Sequence, residues 1–171
     1  GKSLLSAKGI EVLKQKLLPM ALLVTPNIKE TEVLSGVKIR KASDRIKAAR
    51  ALLKLGVKKV LIKGGHLKGK PQDFFFDGKR KLLLDSNRLG RSDVHGTGCA
   101  LASAITAGLA KGVDVVTSVV AAKKFIGLAI EGAVRSGKGE LQVEPLLGLY
   151  QNADRCSMFE RVSRAVDRLQ N

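Results

Sequence analysis

Hydrophobic positions change their spacing several times along the chain, and each change marks an element boundary. From Ala7 to Leu18, the residues Ile10, Leu13, Leu17 and Leu18 recur at helical spacing, and Pro19 is placed to end that helix. The next residues, Ala21 to Thr25, form an unbroken apolar run, the pattern of a parallel strand covered on both faces. Thr25-Pro26-Asn27 interrupts it, Asn27 is a good N-cap, and Ile28 to Leu34 reads as a short helix ended by Gly36. A longer amphipathic helix, about Ala42 to Leu55, gathers Ile46, Ala49, Leu52 and Leu53 on one face. Gly56 caps it and Val57 to Lys63 forms the next strand, which gives a βαβ rhythm.

After Gly64-Gly65 the pattern shortens. Phe74 to Phe76 and Leu82 to Leu84 flank Asp77-Gly78, a turn dipeptide that predicts an antiparallel hairpin. Beyond the polar stretch Asp85 to His95, a glycine loop opens a helix from about Cys99 to Ala110, and Asp114 caps a second long helix to about Val134. Met158, Val162, Ala165, Val166 and Leu169 mark a last helical stripe between Ala153 and Leu169. The organisation expected is a main domain over residues 1–150, with 151–171 a C-terminal helix or the start of a linker or fused domain.

Composition narrows the class. A chain of 171 residues, 44% of them hydrophobic, suffices for one sizeable core. No apolar run approaches a bilayer-crossing length and no secretory signal pattern opens the chain, so the expectation is a cytoplasmic protein without a membrane partner. Cys99 and Cys156 lie far apart, with no CxxC pair or histidine cluster to complete a zinc site. Lysine and arginine number 31 against 15 acidic residues, a formal charge of +16 that favours polyanions and phosphorylated partners. With five Phe, one Tyr and no Trp for base stacking, specific nucleic-acid recognition is not expected, and any binding should be salt-dependent and nonspecific.

The chemistry concentrates at His95-Gly96-Thr97-Gly98-Cys99, immediately before the apolar helix Ala100 to Ala110. Glycines at a helix start allow close backbone approach, and exposed amides added to the helix dipole make an anion site able to hold a transferring phosphoryl group. Cys99 falls in the first helical turn, where partial positive charge favours a thiolate and so a usable general base. The competing reading is a small buried residue packing the helix. His95 by itself implies no more than local hydrogen bonds. Gly1-Lys2-Ser3 resembles the end of a P-loop but lacks the preceding strand and glycine-rich loop.

The stretch DVHGTGCALASAITAGLAKG resembles the anion-hole signature of hydroxymethylpyrimidine kinases, in which cysteine stands where most ribokinase-like enzymes carry aspartate. Two further segments, LVTPNIKETEVLSG and VLIKGGH, follow the order that family requires, so the similarity spans roughly residues 3 to 134. The resemblance implies a ribokinase-like α/β fold: a mostly parallel sheet between helical layers, three layers in all, lacking its N-terminal strands. It implies ATP and magnesium as cofactors, with Asn27 and Glu30 near the metal and its waters. Lys63, Gly64, Gly65 and Thr97 would contact nucleotide, Gly96 and Gly98 would frame the anion hole, and Cys99 would be the base. Ala122, Lys123 and Phe125 are candidates for bordering adenine, although a helical apolar stripe is more often core.

Members of that family begin with a longer N-terminal portion that carries further strands, the pyrimidine-binding residues and an Asp-Pro-Val-Met segment. The chain shows none of these, which predicts dependence on an N-terminal segment or on a second copy in a homo-oligomer. The implied activity is phosphorylation of 4-amino-5-hydroxymethyl-2-methylpyrimidine and of its monophosphate. Pyridoxal kinase activity and a noncatalytic nucleotide-binding or interaction module are the alternatives.

Overall fold

Helix α1 (Ala7–Val12) starts at Ser6, whose hydroxyl accepts the Gly9 amide at 3.1 Å. Pro19 does not stop the helical path where the sequence pattern places the break. A wider π-type turn covers Leu13–Leu17 and a 3-10 turn covers Leu18–Met20, with the proline inside the latter. Proline is tolerated there because the first positions of a helical segment need no amide donor. The computed structural model describes residues 5–64, 72–85, 94–135, 137 and 139–152. They fall into two compact units, Gly1–Ser92 and Asp93–Asn171, and the Ala153 to Leu169 stripe lies outside the described residues.

In the first unit, residues 21–27 run parallel to β1 (Val60–Ile62), with register pairs Val24–Val60 and Asn27–Lys63. Four backbone hydrogen bonds tie them: Lys58 to Ala21 at 3.2 Å, Val24 to Lys59 at 3.1 Å, Leu61 to Val24 at 2.8 Å and Lys63 to Pro26 at 2.8 Å, donor first. The parallel pairing is as expected, but it consists of separate bridges and is not covered on both faces. Leu22 is 46% and neighbouring Met20, in the 3-10 turn, 81% exposed.

Helix α2 (Ile28–Ser35) ends at Gly36, whose φ of 72° is the left-handed stop that the sequence predicts. Helix α3 (Asp44–Lys54) turns Arg45, Ala48, Ala49 and Leu52 inward, while Ile46 and Leu53 are only partly buried. The buried stripe is thus rotated from the expected one, with an arginine at its first position. Strand β1 is flanked antiparallel by β2 (Gln72–Phe76), which pairs in turn with β3 (Lys81–Asp85). The Asp77-Gly78 hairpin forms as predicted: Asp77 Oδ1 accepts the amides of Lys79 at 2.9 Å and Arg80 at 2.6 Å. Leu18, Ile39, Ala48, Ala49, Leu52, Val57, Val60, Ile62, Phe74 and Phe76 form the core between α3 and the sheet. Burying each of the larger side chains contributes about 1.5–3 kcal/mol.

Among the described carboxylates, Glu32, Asp44 and Asp77 have their pKa values lowered by backbone donors. Glu32 Oε1 accepts the Ile39 amide at 2.8 Å and its other oxygen meets Lys38 Nζ at 3.1 Å. Asp44 Oδ2 accepts the amides of Lys41 and Arg40, each at 3.1 Å. These bonds lower the pKa of each: first the Ile39 amide for Glu32, the Lys41 amide for Asp44 and the Arg80 amide for Asp77. A folded-state value below the unfolded one contributes stability that is present above the ordinary carboxylate range and lost as pH falls through the folded values. The denaturant midpoint is therefore expected to hold from neutral pH to about pH 5 and decline below about pH 4. Glu32→Gln should make that decline shallower; a slope parallel to wild type would show that Glu32 contributes nothing to it.

The second unit begins with β4 (Val94–His95) and helix α4 (Thr97–Ala110), which starts two residues earlier than the pattern predicts. Helix α5 (Val115–Glu131) is capped as expected by Asp114, whose Oδ1 accepts from Val116 at 3.0 Å and Thr117 at 3.1 Å. The two helices approach closely at Gly108, where a Cβ would lie 2.7 Å from Ser118 Oγ. Two-residue strands β5 (Val134–Arg135) and β6 (Leu141–Gln142) complete a small mixed sheet, with β4 parallel and β5 antiparallel to β6. Helix α6 (Leu147–Asn152) ends the described chain. Among the described residues no helix is long and apolar enough to cross a membrane.

Candidate functional site

The glycine loop of the second unit is built by a backbone reversal. Gly96 has φ +88°, and a Cβ there would sit 3.1 Å from Val143 Cγ2, so the position suits glycine on both counts. The strand pairing beneath it holds the turn: Val143 donates to His95 O at 3.1 Å. The first α4 bond, from Ala100 to Gly96 O, is 3.0 Å long. The N-cap is glycine and offers no side chain of its own, so among the described residues no side-chain cap engages the Thr97, Gly98 and Cys99 amides, which gather at the positive end of a 14-residue helix. Cys99, the third helical residue, is exposed. Its sulfur is therefore not the packing element of the competing reading.

His95 is also exposed, and its Nδ1 lies 3.4 Å from Glu140 Oε2. That is the local partnership expected of an isolated histidine. Of the three α5 residues considered for adenine, Ala122 is 2% exposed and belongs to the core, whereas Lys123 and Phe125 are half-buried.

In the first unit, Asn27 and Glu30 form a reciprocal cap. Asn27 Oδ1 accepts the Glu30 amide at 2.9 Å and Glu30 Oε2 accepts the Asn27 amide at 2.8 Å. Thr31 Oγ1 adds a bond to Asn27 O at 2.7 Å. The parallel register sets Lys63 directly beside Asn27, at the C-terminal ends of adjacent strands, where open α/β sheets bind ligands. Gly64 follows, buried; Gly65 and His66 lie outside the described residues. The Gly64 amide is donated inward to Asp73 Oδ1 at 2.8 Å, and a Cβ on Gly64 would collide with the Gln72 carbonyl oxygen. Gly64 therefore serves this turn by lacking a side chain rather than by donating to a ligand.

The described residues contain no group of three His, Cys, Asp or Glu side chains placed to hold a metal. Exposed Glu30 presents one carboxylate, with one oxygen engaged by the Asn27 amide. That donor set fits magnesium, which keeps several waters and takes one or two carboxylates together with substrate phosphates, and does not fit a metal caged by protein. The structure thus brings Asn27, Glu30, Lys63 and Gly64 together in one unit, and Gly96, Thr97, Gly98 and Cys99 in the other.

Sequence periodicity missed two buried charged residues, Arg45 and Asp73, which are 3% and 5% exposed. The available signals were an acid inside the run Gln72-Asp73-Phe74-Phe75-Phe76 and an arginine on the i, i+3, i+4, i+7 stripe of α3.

The profile of the family described as phosphomethylpyrimidine kinase matches residues 1–144. The hydroxymethylpyrimidine/phosphomethylpyrimidine kinase of Rhizobium meliloti (strain 1021) is 43% identical over 144 residues, covering 82% of this chain and 53% of that protein. A thiamine biosynthesis bifunctional protein of Geobacter sulfurreducens is 40% identical over 156 residues, 91% of this chain and 32% of its own. Among solved structures, an ADP complex of Bacillus subtilis pyridoxal kinase superposes with a TM-score of 0.80 at 33% identity, covering 87% of this chain and 58% of that one. The chain spans about half the length of the curated kinases it matches.

Proposed function

Since the chain belongs to the phosphomethylpyrimidine kinase family, we propose that it carries the phosphoryl-transfer machinery of an ATP-dependent kinase of thiamine biosynthesis. The acceptors are the hydroxymethyl group of 4-amino-5-hydroxymethyl-2-methylpyrimidine and then the phosphate of its monophosphate. The observation that carries this reading is the left-handed Gly96 turn, whose N-cap contributes no side chain to the first α4 amides, beside an exposed Cys99. Cys99 Sγ takes the proton of the acceptor alcohol, the alcohol oxygen forms a bond to the γ-phosphorus, and the β–γ bridging bond breaks to release ADP. The amides of Thr97, Gly98 and Cys99 donate to the oxygens of the phosphoryl group in flight, with no rearrangement needed at the moment of reaction. In the second round a phosphate oxygen replaces the alcohol oxygen as nucleophile.

Lys63 meets the nucleotide phosphates as a point charge. Asn27 and Glu30 would hold magnesium through its waters, and the bound ion would offset phosphate charge. The part of the relatives that this chain does not span supplies acceptor binding, in the same polypeptide or from a second copy. The cytoplasm, where ATP and the pyrimidine meet, is the proposed location.

The likeness to the Bacillus subtilis pyridoxal kinase favours a second reading, with pyridoxal as acceptor. ADP release measured side by side with the aminopyrimidine and with pyridoxal separates the two. The assay uses the chain alone and the chain joined to the portion of the Rhizobium meliloti kinase that it does not span. Greater turnover of the aminopyrimidine is expected; preference for pyridoxal transfers the assignment, and ATP binding without turnover of either leaves a noncatalytic nucleotide module.

A further inference from the structure

Asp73 is the second residue of β2, 5% exposed and followed by three phenylalanines. A carboxylate in such surroundings is costly unless donors meet it. The Gly64 amide does so at 2.8 Å. Arg45, buried on the inner face of α3, stands close enough for Asp73 to oppose the downward pull of burial on its pKa.

Arg45 is itself fixed on several sides. Its Nη1 donates to Gln72 O at 2.8 Å, Nη2 to Gln72 Oε1 at 3.2 Å and Nε to Ala42 O at 3.4 Å. Its Cζ lies 5.6 Å from the centre of the Phe74 ring. The Gln72 carbonyl that receives Arg45 is also the atom that forbids a side chain at Gly64. One network therefore reaches from α3 through β2 to the residue that follows Lys63.

Buried charged groups add little net stability compared with apolar replacements, and fixing one geometry is among their attested uses. Here the geometry concerned is the end of β1, where Lys63 pairs in register with Asn27. We propose that Asp73 and Arg45 are positioning residues for nucleotide phosphates: Asp73, by accepting the Gly64 amide, and Arg45, by fixing the Gln72 carbonyl that packs against Gly64, form a clamp that holds Lys63 at the strand end where phosphate is met. The clamp turns the Gly64 N–H away from the ligand, so the phosphate contact of the described part of this turn falls on Lys63. The phosphate role rests on the reading of Lys63 given under the proposed function.

The test uses the full 171-residue chain as wild type, Asp73→Ala, Asp73→Asn, Arg45→Lys and Lys63→Ala. Each is titrated with AMP-PCP and magnesium, melted by heat, and followed by amide exchange at Gly64. Asp73→Ala should speed Gly64 exchange at least tenfold relative to Leu61 and weaken AMP-PCP at least fivefold. Asp73→Asn, which keeps an acceptor, should restore most of both, and Arg45→Lys, which keeps charge without the fork, should fall between. Lys63→Ala should lose nucleotide affinity while leaving Gly64 exchange unchanged.

Unchanged Gly64 exchange in Asp73→Ala overturns the clamp; should that variant not fold, Gly64 exchange in Arg45→Lys identical to wild type does so. Affinity that falls only in step with melting temperature overturns the positioning role. Failure of the wild-type chain to bind AMP-PCP removes the phosphate role together with the nucleotide reading, while the exchange measurement still decides the clamp.

Discussion

Gly64→Ala is expected to cost the first unit its fold rather than trim its stability. The added Cβ would strike the Gln72 carbonyl oxygen and lie 2.8 Å from the carbonyl carbon, both backbone atoms of β2. Neither can swing aside as a side chain would. Relief requires β1 and β2 to separate, and their register places Val60 opposite Phe76, Leu61 opposite Phe75 and Ile62 opposite Phe74, all buried. The same carbonyl accepts from Arg45, so moving it also breaks the shortest hydrogen bond of a buried cation. Overpacking alone costs about 1–3 kcal/mol, and breaking a buried charged network about 3–5 kcal/mol. Their combination approaches the whole stability of an ordinary domain, roughly 5–15 kcal/mol.

The measurement is a urea titration beside Gly127→Ala. Gly127 lies in α5 with nothing near its would-be Cβ. Alanine there should gain up to about 1 kcal/mol through helix propensity. A Gly64→Ala protein unfolding within about 1 kcal/mol of wild type would show that the strand end yields more easily than its contacts imply.

Cys99→Ala is expected to have the largest effect on turnover. If Sγ takes the acceptor proton, losing it should lower kcat by about 10²–10⁴-fold. The KM for ATP should move little, since the α4 amides and Lys63 are unchanged. Cys99 is exposed near the start of α4, so the substitution removes no core contact and the melting temperature should hold. Cys99→Asp places the residue common in other ribokinase-like enzymes at this position and should retain part of the activity. The readout is ADP release with the aminopyrimidine, varied in ATP. Turnover unaltered in Cys99→Ala would remove the sulfur as base and leave catalysis to the amides and to positioning.

The elements legible in sequence were those whose cause lies within a few residues. Asn27 and Glu30 cap α2 through bonds three residues apart, Asp114 caps α5 in the same way, and Asp77 closes the hairpin through the amides that follow it. The apolar run at Ala21 to Thr25 is less buried than its composition predicts. Its parallel partner was correct, but an apolar run reports which residues are able to be buried, and Leu22 shows that burial needs a neighbour as well. The two-residue strands β4, β5 and β6 leave no periodicity to detect, because alternation needs at least four residues to show.

By itself, then, the sequence determined which segments are helical, how α2 and α5 are capped, the turn chemistry, and the two glycine-bearing motifs that point to phosphate. Tertiary structure decided which groups at those motifs are available. It exposes Cys99, sets Lys63 beside Asn27, and spends the Gly64 amide on Asp73. It also carries Arg45 to Gln72 across 27 residues. The division has one physical reason: caps and turns are closed by neighbours along the chain, whereas burial, register and charge pairing are set by partners that only folding brings within reach.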